Sequence, residues 1–360
     1  MISRVTLDVD FDALAHNVRC IRDRICPCAL TAVLKANAYG LGVQRIAPVV
    51  RDNGAAMFGA ATVGEAIELS RFGLPVQILG NLLPYEIPAA VEHDLICPVH
   101  NCETARLVSA EAVKQKKTVR SAIPVDTGMG RLGLVAATAA EEIFAMQKLP
   151  ALKIEGLYSH FSNAGDPQDD YSLKQLAAFK DLLTKLNRAG MDFKKLHISA
   201  SDGLNNFPDA FQPPFTHARC GINMYGYYAP AMPLKEVITL KARIVAVRKL
   251  QAGSFVGYCR THRLEEDTLV GTVAIGYADG LPLALSNRAR VLVNGQFCPL
   301  IGRVSMDYIT ISLNSVPQAA PGDEVVCLGS QQGNTVSALE WADIAQTHAY
   351  DILCGITPRR

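Results

Sequence analysis

Little in this chain is unbalanced. Its 35 Lys and Arg residues stand against 34 Asp and Glu, a formal net charge of +1, and charged residues make up only 19% of its 360 positions. Nucleic-acid and anionic-membrane binders cluster Lys and Arg, so the balance argues against both partner classes. No uninterrupted apolar run is long enough to span a bilayer. The opening residues, Met-Ile-Ser-Arg-Val-Thr-Leu-Asp-Val-Asp, lack an apolar core region and a cleavage site, so a signal peptide is not expected. Metal-ligand spacing is missing too. The ten cysteines are scattered, and the close pair Cys26 and Cys28 reads Cys-Pro-Cys, so no metal site is expected. Reduced, mostly buried cysteines in a cytoplasmic protein are the expectation. Low-complexity linkers and internal repeats are also absent. What is plentiful is apolar: 49% of residues are hydrophobic, enough for one large core or two domains.

Residues 4–9 alternate polar and apolar, as a half-buried strand does. Asp10 and Asp12 are candidate N-caps for a helix carrying Leu14, Val18 and Ile21 on one face. From Thr31 a rhythm sets in. Apolar runs near 31–34, 56–61, 75–80, 95–99, 118–125, 152–158, 195–199 and 217–224 alternate with helical patterns at 64–72, 102–114 and 171–189. In the last, Leu173, Leu176, Phe179, Leu182, Leu183 and Leu186 recur at helical spacing. Strand–helix alternation implies a parallel sheet, and eight such units imply an α/β fold, a (β/α)8 TIM barrel. After Pro230 the pattern changes. Residues 237–249 alternate, Val293-Asn-Gly-Gln296 is a two-residue hairpin turn, and further strands are expected at 268–275, 308–313 and 324–328. The expected organisation is therefore an N-terminal strand in 1–10 pairing with the second domain, a barrel over 11–232, and an antiparallel β domain over 233–360.

In such a barrel, functional groups lie on the loops after the carboxyl ends of strands. Lys35 closes strand one, at the head of Lys35-Ala-Asn-Ala-Tyr-Gly40. Lysine is seldom fully buried, so its place at the end of a core strand needs a reason. It is either a rim ammonium in water or a partly desolvated amine able to form a Schiff base with an aldehyde cofactor. Arg131 follows strand five in Asp126-Thr-Gly-Met-Gly-Arg-Leu-Gly133, His160 closes strand six, Ser201 closes strand seven, and Arg219, Gly221 and Ile222 lie at the end of strand eight. Ser201 with the amides of Gly221 and Ile222 falls where an anion would be cradled, and Tyr39 could add a phenol donor. Taken singly, each has an ordinary alternative: a turn or N-cap at Ser201, a satisfied buried imidazole at His160, a structural ion pair at Arg219, a flexible glycine loop around Arg131. Their convergence on one rim is what those alternatives do not produce. In the second domain, Ala274-Ile-Gly-Tyr-Ala-Asp-Gly280 and Gly302-Arg-Val-Ser-Met-Asp307 end strands, and composition alone makes Tyr277 an amphipathic residue at a strand end.

With these residues assembled, the chain resembles the alanine racemase family over nearly its full length. The resemblance rests on Lys35-Ala-Asn-Ala-Tyr-Gly40, Asp126-Thr-Gly-Met-Gly-Arg-Leu-Gly133, Gly221-Ile-Asn-Met-Tyr-Gly226, Ile275-Gly-Tyr-Ala-Asp-Gly280 and Arg303-Val-Ser-Met-Asp307. It implies a pyridoxal 5′-phosphate (PLP) enzyme that interconverts L-alanine and D-alanine by a two-base mechanism, a homodimer with shared active sites, and D-alanine supply for cell-wall peptidoglycan. By that resemblance Lys35 holds the cofactor and is one base. Tyr277, from the other subunit, is the second. Tyr39, Ser201, Gly221 and Ile222 map to the phosphate site, Arg219, supported by His160, to the pyridine nitrogen, and Arg131 and Met306 to the substrate carboxylate.

The chain departs from the family in several places. Pro124 stands where many relatives carry a carbamylated lysine that orients the arginine, which leaves open what holds Arg131. Leu41 replaces a histidine, Ala200 an asparagine and Ser305 a cysteine, and Gly355-Ile-Thr-Pro-Arg359 runs where some members have a tyrosine. These changes keep serine or a broad amino-acid range as alternative substrates. A non-catalytic PLP-binding protein and a fold-related decarboxylase are the more distant alternatives.

Overall fold

The computed structural model describes residues 3–228 and 232–358. Pro230, where the sequence pattern changes, and Arg359, in the stretch that departs from the family, lie outside the described residues. The chain divides into two compact units, Phe11–Lys235 and Met1–Asp10 with Glu236–Arg360.

The first unit is a (β/α)8 barrel. Its strands, one to eight, are Ala29–Val33, Ala55–Ala60, Val76–Ile78, Cys97–Pro98, Val119–Asp126, Leu152–Tyr158, Lys195–His197 and His217–Cys220. They form two parallel arcs, in the orders eight-one-two-three and four-five-six-seven. Regular ladder pairing stops at the two seams, and hydrogen bonds cross each. Ile78 N–H donates to Ile96 O at 3.1 Å and Ile96 N–H to Val76 O at 2.9 Å, while Thr216 N–H donates to Leu196 O at 3.0 Å and Arg219 N–H to Ser199 O at 3.2 Å. The strands are short, continuous apolar runs because both their faces are covered. The expected eighth run, 217–224, splits physically: its first part is strand, and Ile222–Tyr225 closes into a 3-10 turn.

The outer helices follow the sequence pattern. Phe11–Ile25 buries Leu14, Val18 and Ile21, with Asp12 in its first turn and Arg22 and Arg24 in its last, matching the helix dipole. Thr62, Asn101 and Asp169 cap the next long helices by accepting N–H groups of the first turn. On Asp170–Arg188, Leu176, Phe179, Leu182, Leu183 and Leu186 are buried, but Leu173 is 54% exposed. It lies off the buried face, which Ser172, Gln175 and Leu176 take in the same stretch.

In the second unit, Ile238–Leu250 is the spine of an antiparallel sheet. It pairs with Thr6–Val9 and with Glu324–Gln331 along its first half, and with Thr268–Val273 along its second. The opening strand thus joins this sheet, with Thr6 opposite Lys241. Arg290–Val293 and Gln296–Pro299 form the expected hairpin, with Asn294 and Gly295 both at positive φ, as a type I′ turn demands. Two helices, Ala338–Ala345 and Ala349–Gly355, lie in the part of the β domain beyond the last expected strand, where no helix was expected. Among the described residues, no helix is long and apolar enough to cross a membrane. Among the described residues no disulfide joins any of the ten cysteines.

Asn17, fully buried on the first helix, holds the chain's return after strand eight. Its amide donates to Met224 O at 3.0 Å and Lys235 O at 2.7 Å, and accepts from Lys235 N–H at 2.8 Å. Asn17→Ala leaves these groups unpaired in the interior, and should cost about 3 kcal/mol, read as a lower urea midpoint at unchanged m.

Candidate active site

Lys35 ends strand one and begins a turn of unusual hand. Ala36, Asn37 and Ala38 have φ of 52°, 52° and 55° with ψ near 50°, and Tyr39 continues at φ 61°. A left-handed turn costs roughly 1–2 kcal/mol per non-glycine residue. It persists because its backbone is held from several sides. Glu65, on the helix after strand two, accepts Ala36 N–H at 2.7 Å and Ala61 N–H at 2.8 Å. Asn37 Oδ1 accepts Val43 N–H at 2.8 Å, and Tyr225 OH donates to Ala38 O at 3.1 Å. Lys35 itself is exposed at the barrel mouth, so burial by this chain alone does not desolvate it.

Tyr39 is buried edge-on against Tyr225, with ring centroids 5.6 Å apart. A Cβ on Gly221 would lie 2.1 Å from the Tyr39 hydroxyl oxygen, so only glycine leaves that phenol its place. Ser201 Oγ accepts Gly221 N–H at 3.1 Å, and Asn223 Nδ2 donates to Ser201 O at 3.0 Å. Tyr39, Ser201, Gly221 and the N–H end of the Ile222–Tyr225 turn are therefore gathered around the end of strand eight.

Arg219 is buried, at 4% exposure, and among the described residues it has no carboxylate partner. The expected ion pair is replaced by neutral acceptors. Its Nη2 donates to Ser159 O at 2.7 Å and Ile198 O at 2.9 Å, and meets His160 Nδ1 at 3.1 Å. Its Nη1 meets His197 Nδ1. Burial pulls the guanidinium down to about 10, still protonated at neutral pH. Burial together with the charges of Arg219, Arg131 and Lys35 pushes His160 down to about 3. His197 is likewise held well below its usual range by burial and Arg219. Both imidazoles are neutral, which lets them accept from a cation.

Arg131 is exposed and, among the described residues, forms neither a hydrogen bond nor an ion pair. The loop that carries it is nonetheless fixed. Asp126 accepts Gly128 N–H at 2.8 Å and Gly130 N–H at 3.1 Å, and Tyr171 OH donates to Gly128 O at 3.2 Å. With Pro124 in strand five, these contacts hold the loop backbone and leave the guanidinium unpaired. A cleft lined by Pro124, Met129, Arg131, Tyr158 and His160 opens beside it.

In the second unit, Tyr277 N–H donates to Ser305 O at 3.0 Å and Ala278 N–H to Met306 O at 3.1 Å, which locks the two strand-end motifs together. A Cβ on Gly276 would stand 2.2 Å from Ser305 O and 2.3 Å from Met306 O, so the joint requires glycine. Tyr277 and Met306 stand side by side on the surface, 47% and 52% exposed.

Sequence reading missed Glu65, Asp126, Tyr171, His197 and Asn223. Each acts on a site residue through a hydrogen bond set by tertiary structure. Asp126, His197 and Asn223 lie within stretches already under scrutiny, but none was given a part there.

The barrel mouth suits an anionic, amine-reactive ligand. Lys35, Arg131 and Arg219 all act on His160 and no carboxylate does. The Tyr39 phenol, the Ser201 hydroxyl, which holds Gly221 N–H, and the start of the Ile222–Tyr225 turn lie together at one end of the barrel. These residues fit a phosphate-bearing aldehyde such as PLP.

Two outcomes follow from this geometry. Gly221→Ala must displace Tyr39, and should weaken PLP binding by about 1–3 kcal/mol in a fluorescence titration. The second concerns pH. Unfolding returns His160, and His217, which burial and Lys195 push down to about 4, to their ordinary 6.5. Below 6.5 the unfolded chain binds more protons, so stability is lost as pH falls from 6.5 toward 3. His160→Gln should lower proton uptake on unfolding at about pH 5 by about one, read from the slope of unfolding free energy against pH.

Family models of the alanine racemase N-terminal domain and the alanine racemase C-terminal domain match residues 9–229 and 237–360. Alanine racemase 1 of Clostridium acetobutylicum is 32% identical over 99% of this chain and 94% of its own length. The crystal structure of alanine racemase from D-cycloserine-producing Streptomyces lavendulae superposes with a TM-score of 0.91 at 33% identity, covering 99% of this chain and 95% of that one. The Bartonella henselae alanine racemase, with covalently bound pyridoxal phosphate, superposes at 0.88 with 27% identity, covering 99% and 98%. The chain belongs to the alanine racemase family.

Proposed function

We propose that this protein interconverts L-alanine and D-alanine by moving the α-proton between Lys35 on one face of the substrate and Tyr277 of a second subunit on the other. Racemisation removes a proton from one side of a carbon and returns one on the opposite side, so two carriers must flank it. Bound PLP supplies the electron sink that makes the α-proton removable. The amine of Lys35, at the end of its rigid left-handed turn, holds the cofactor and carries the proton on its face. Tyr39, Ser201 and the N–H groups of Gly221 and Ile222 hold the phosphate. Arg219 is the partner of the cofactor ring nitrogen. It keeps its own proton, and its hydrogen bonds to His160 and His197 keep it in place. Arg131 and the backbone of Met306 hold the substrate carboxylate, with Arg131 free to do so because no described residue engages it.

The observation that carries this reading is the gathering at the barrel mouth of three cations, Lys35, Arg131 and Arg219, that act on His160, with Tyr39, Ser201 and Gly221 meeting at the end of strand eight. A homodimer is supported by the exposed Tyr258, Tyr277, Leu283, Met306 and Tyr308 of the second unit, large apolar groups of the kind that mark a partner surface. The free cysteines support a reducing, cytoplasmic setting, in which D-alanine would feed peptidoglycan.

When PLP-loaded protein is incubated in D2O with L-alanine, L-serine or L-lysine in separate reactions, only the alanine reaction should give a racemic, α-deuterated amino acid. Faster exchange of serine would move the substrate assignment, and carbon dioxide from lysine would indicate a decarboxylase. Lys35→Ala and Tyr277→Phe should each be inactive, and mixed dimers of the two should regain activity through one intact site. Demonstrably mixed dimers without activity would place both bases on one chain.

A further inference from the structure

Gln77 lies in the middle of strand three, fully buried, and has no part in the roles above. A buried amide in a barrel interior is costly unless it is hydrogen-bonded. Its Oε1 lies 3.1 Å from Nε2 of His197, on strand seven. The other ring nitrogen of His197, Nδ1, faces Arg219 Nη1. A guanidinium has only donors, so Nδ1 must accept, and the neutral ring then carries its proton on Nε2. That N–H needs an acceptor, and Gln77 Oε1 is placed to be it. Turning the amide over would set its NH2 against the ring N–H, donor against donor. Amide orientation and imidazole tautomer are therefore fixed together. Tyr158, stacked on His197 at 5.1 Å and 17°, restrains the ring from tilting away. Burial and the charge of Arg219 disfavour a second proton on His197.

We propose that Gln77 is a positioning residue for Arg219: by accepting from His197 Nε2 it fixes the tautomer whose Nδ1 lone pair aims the guanidinium. Its consequence for turnover rests on the assignment of Arg219 to the cofactor ring; the tautomer does not. The chain of contacts runs across the barrel from strand three through strand seven to strand eight, so a residue remote from the mouth sets the orientation of a cation within it.

The test is 15N NMR of full-length, PLP-loaded protein carrying ring-labelled histidine, with the His197 signals identified by their loss in His197→Asn. The wild-type ring should be neutral with its proton on Nε2. In Gln77→Leu the Nε2 signal should shift, and kcat for alanine should fall by about 5- to 100-fold at unchanged KM, the loss expected for a buried donor left without its acceptor. Gln77→Glu, which keeps an acceptor, should lose less. A wild-type proton on Nδ1, or a doubly protonated ring, would overturn the proposal whether or not the variants fold. So would a folded Gln77→Leu protein with unchanged kcat, a result that would leave the racemase reading intact. Absence of alanine racemisation in the wild type, with His197 in the expected tautomer, would count against that reading instead.

Discussion

A guanidinium buried without a carboxylate is the constraint on which this site depends. Removing a charge from water is expensive, and an opposite charge is the usual remedy. Arg219 is stabilised instead by two carbonyl oxygens and two neutral imidazoles. That arrangement engages both of its terminal nitrogens with neutral groups and leaves its positive charge uncancelled by them. The field it contributes, with those of Lys35 and Arg131, is what depresses His160 and what would draw an anionic cofactor and a carboxylate substrate to one place. A carboxylate partner for Arg219 would have made a quieter core and a poorer site.

The second constraint is backbone strain in the four residues that follow Lys35. Four consecutive non-glycine residues in the left-handed region represent about 4–8 kcal/mol of unfavourable conformation. Glu65, Asn37 and Tyr225 hold the turn through contacts with neighbouring barrel elements. Strain that is tolerated only because surrounding structure over-determines it is a recurrent property of functional sites. Here it gives Lys35 a fixed point of departure, although its amine is exposed in the single chain.

The barrel was legible because strand and helix periods alternate without interruption, and the second domain because its strands alternate and its hairpin turn is Asn-Gly. The motifs around Lys35, Arg131, Arg219 and Tyr277 were legible as residue types at the ends of strands. What remained hidden has physical reasons. The helices at Ala338–Ala345 and Ala349–Gly355 are short, too short for helical periodicity to stand out from the strands before them. The left-handed turn was unreadable because Ala-Asn-Ala-Tyr carries no glycine to announce positive φ until Gly40. Glu65 and Tyr171 reach the site from helices distant in sequence from what they support, and Asp126 acts locally but on backbone N–H groups, which no residue pattern announces. Gln77 passed unmarked within the apolar run 75–80, and its partner His197 lies 120 residues away.

Reduction of the PLP-loaded protein with borohydride, followed by peptide mass mapping, tests the central claim most directly. The account predicts one modified residue, Lys35, carrying the reduced cofactor through a secondary amine, with Lys35→Ala unlabelled. Labelling confined to any other lysine, or none in protein that retains its fold, would contradict it.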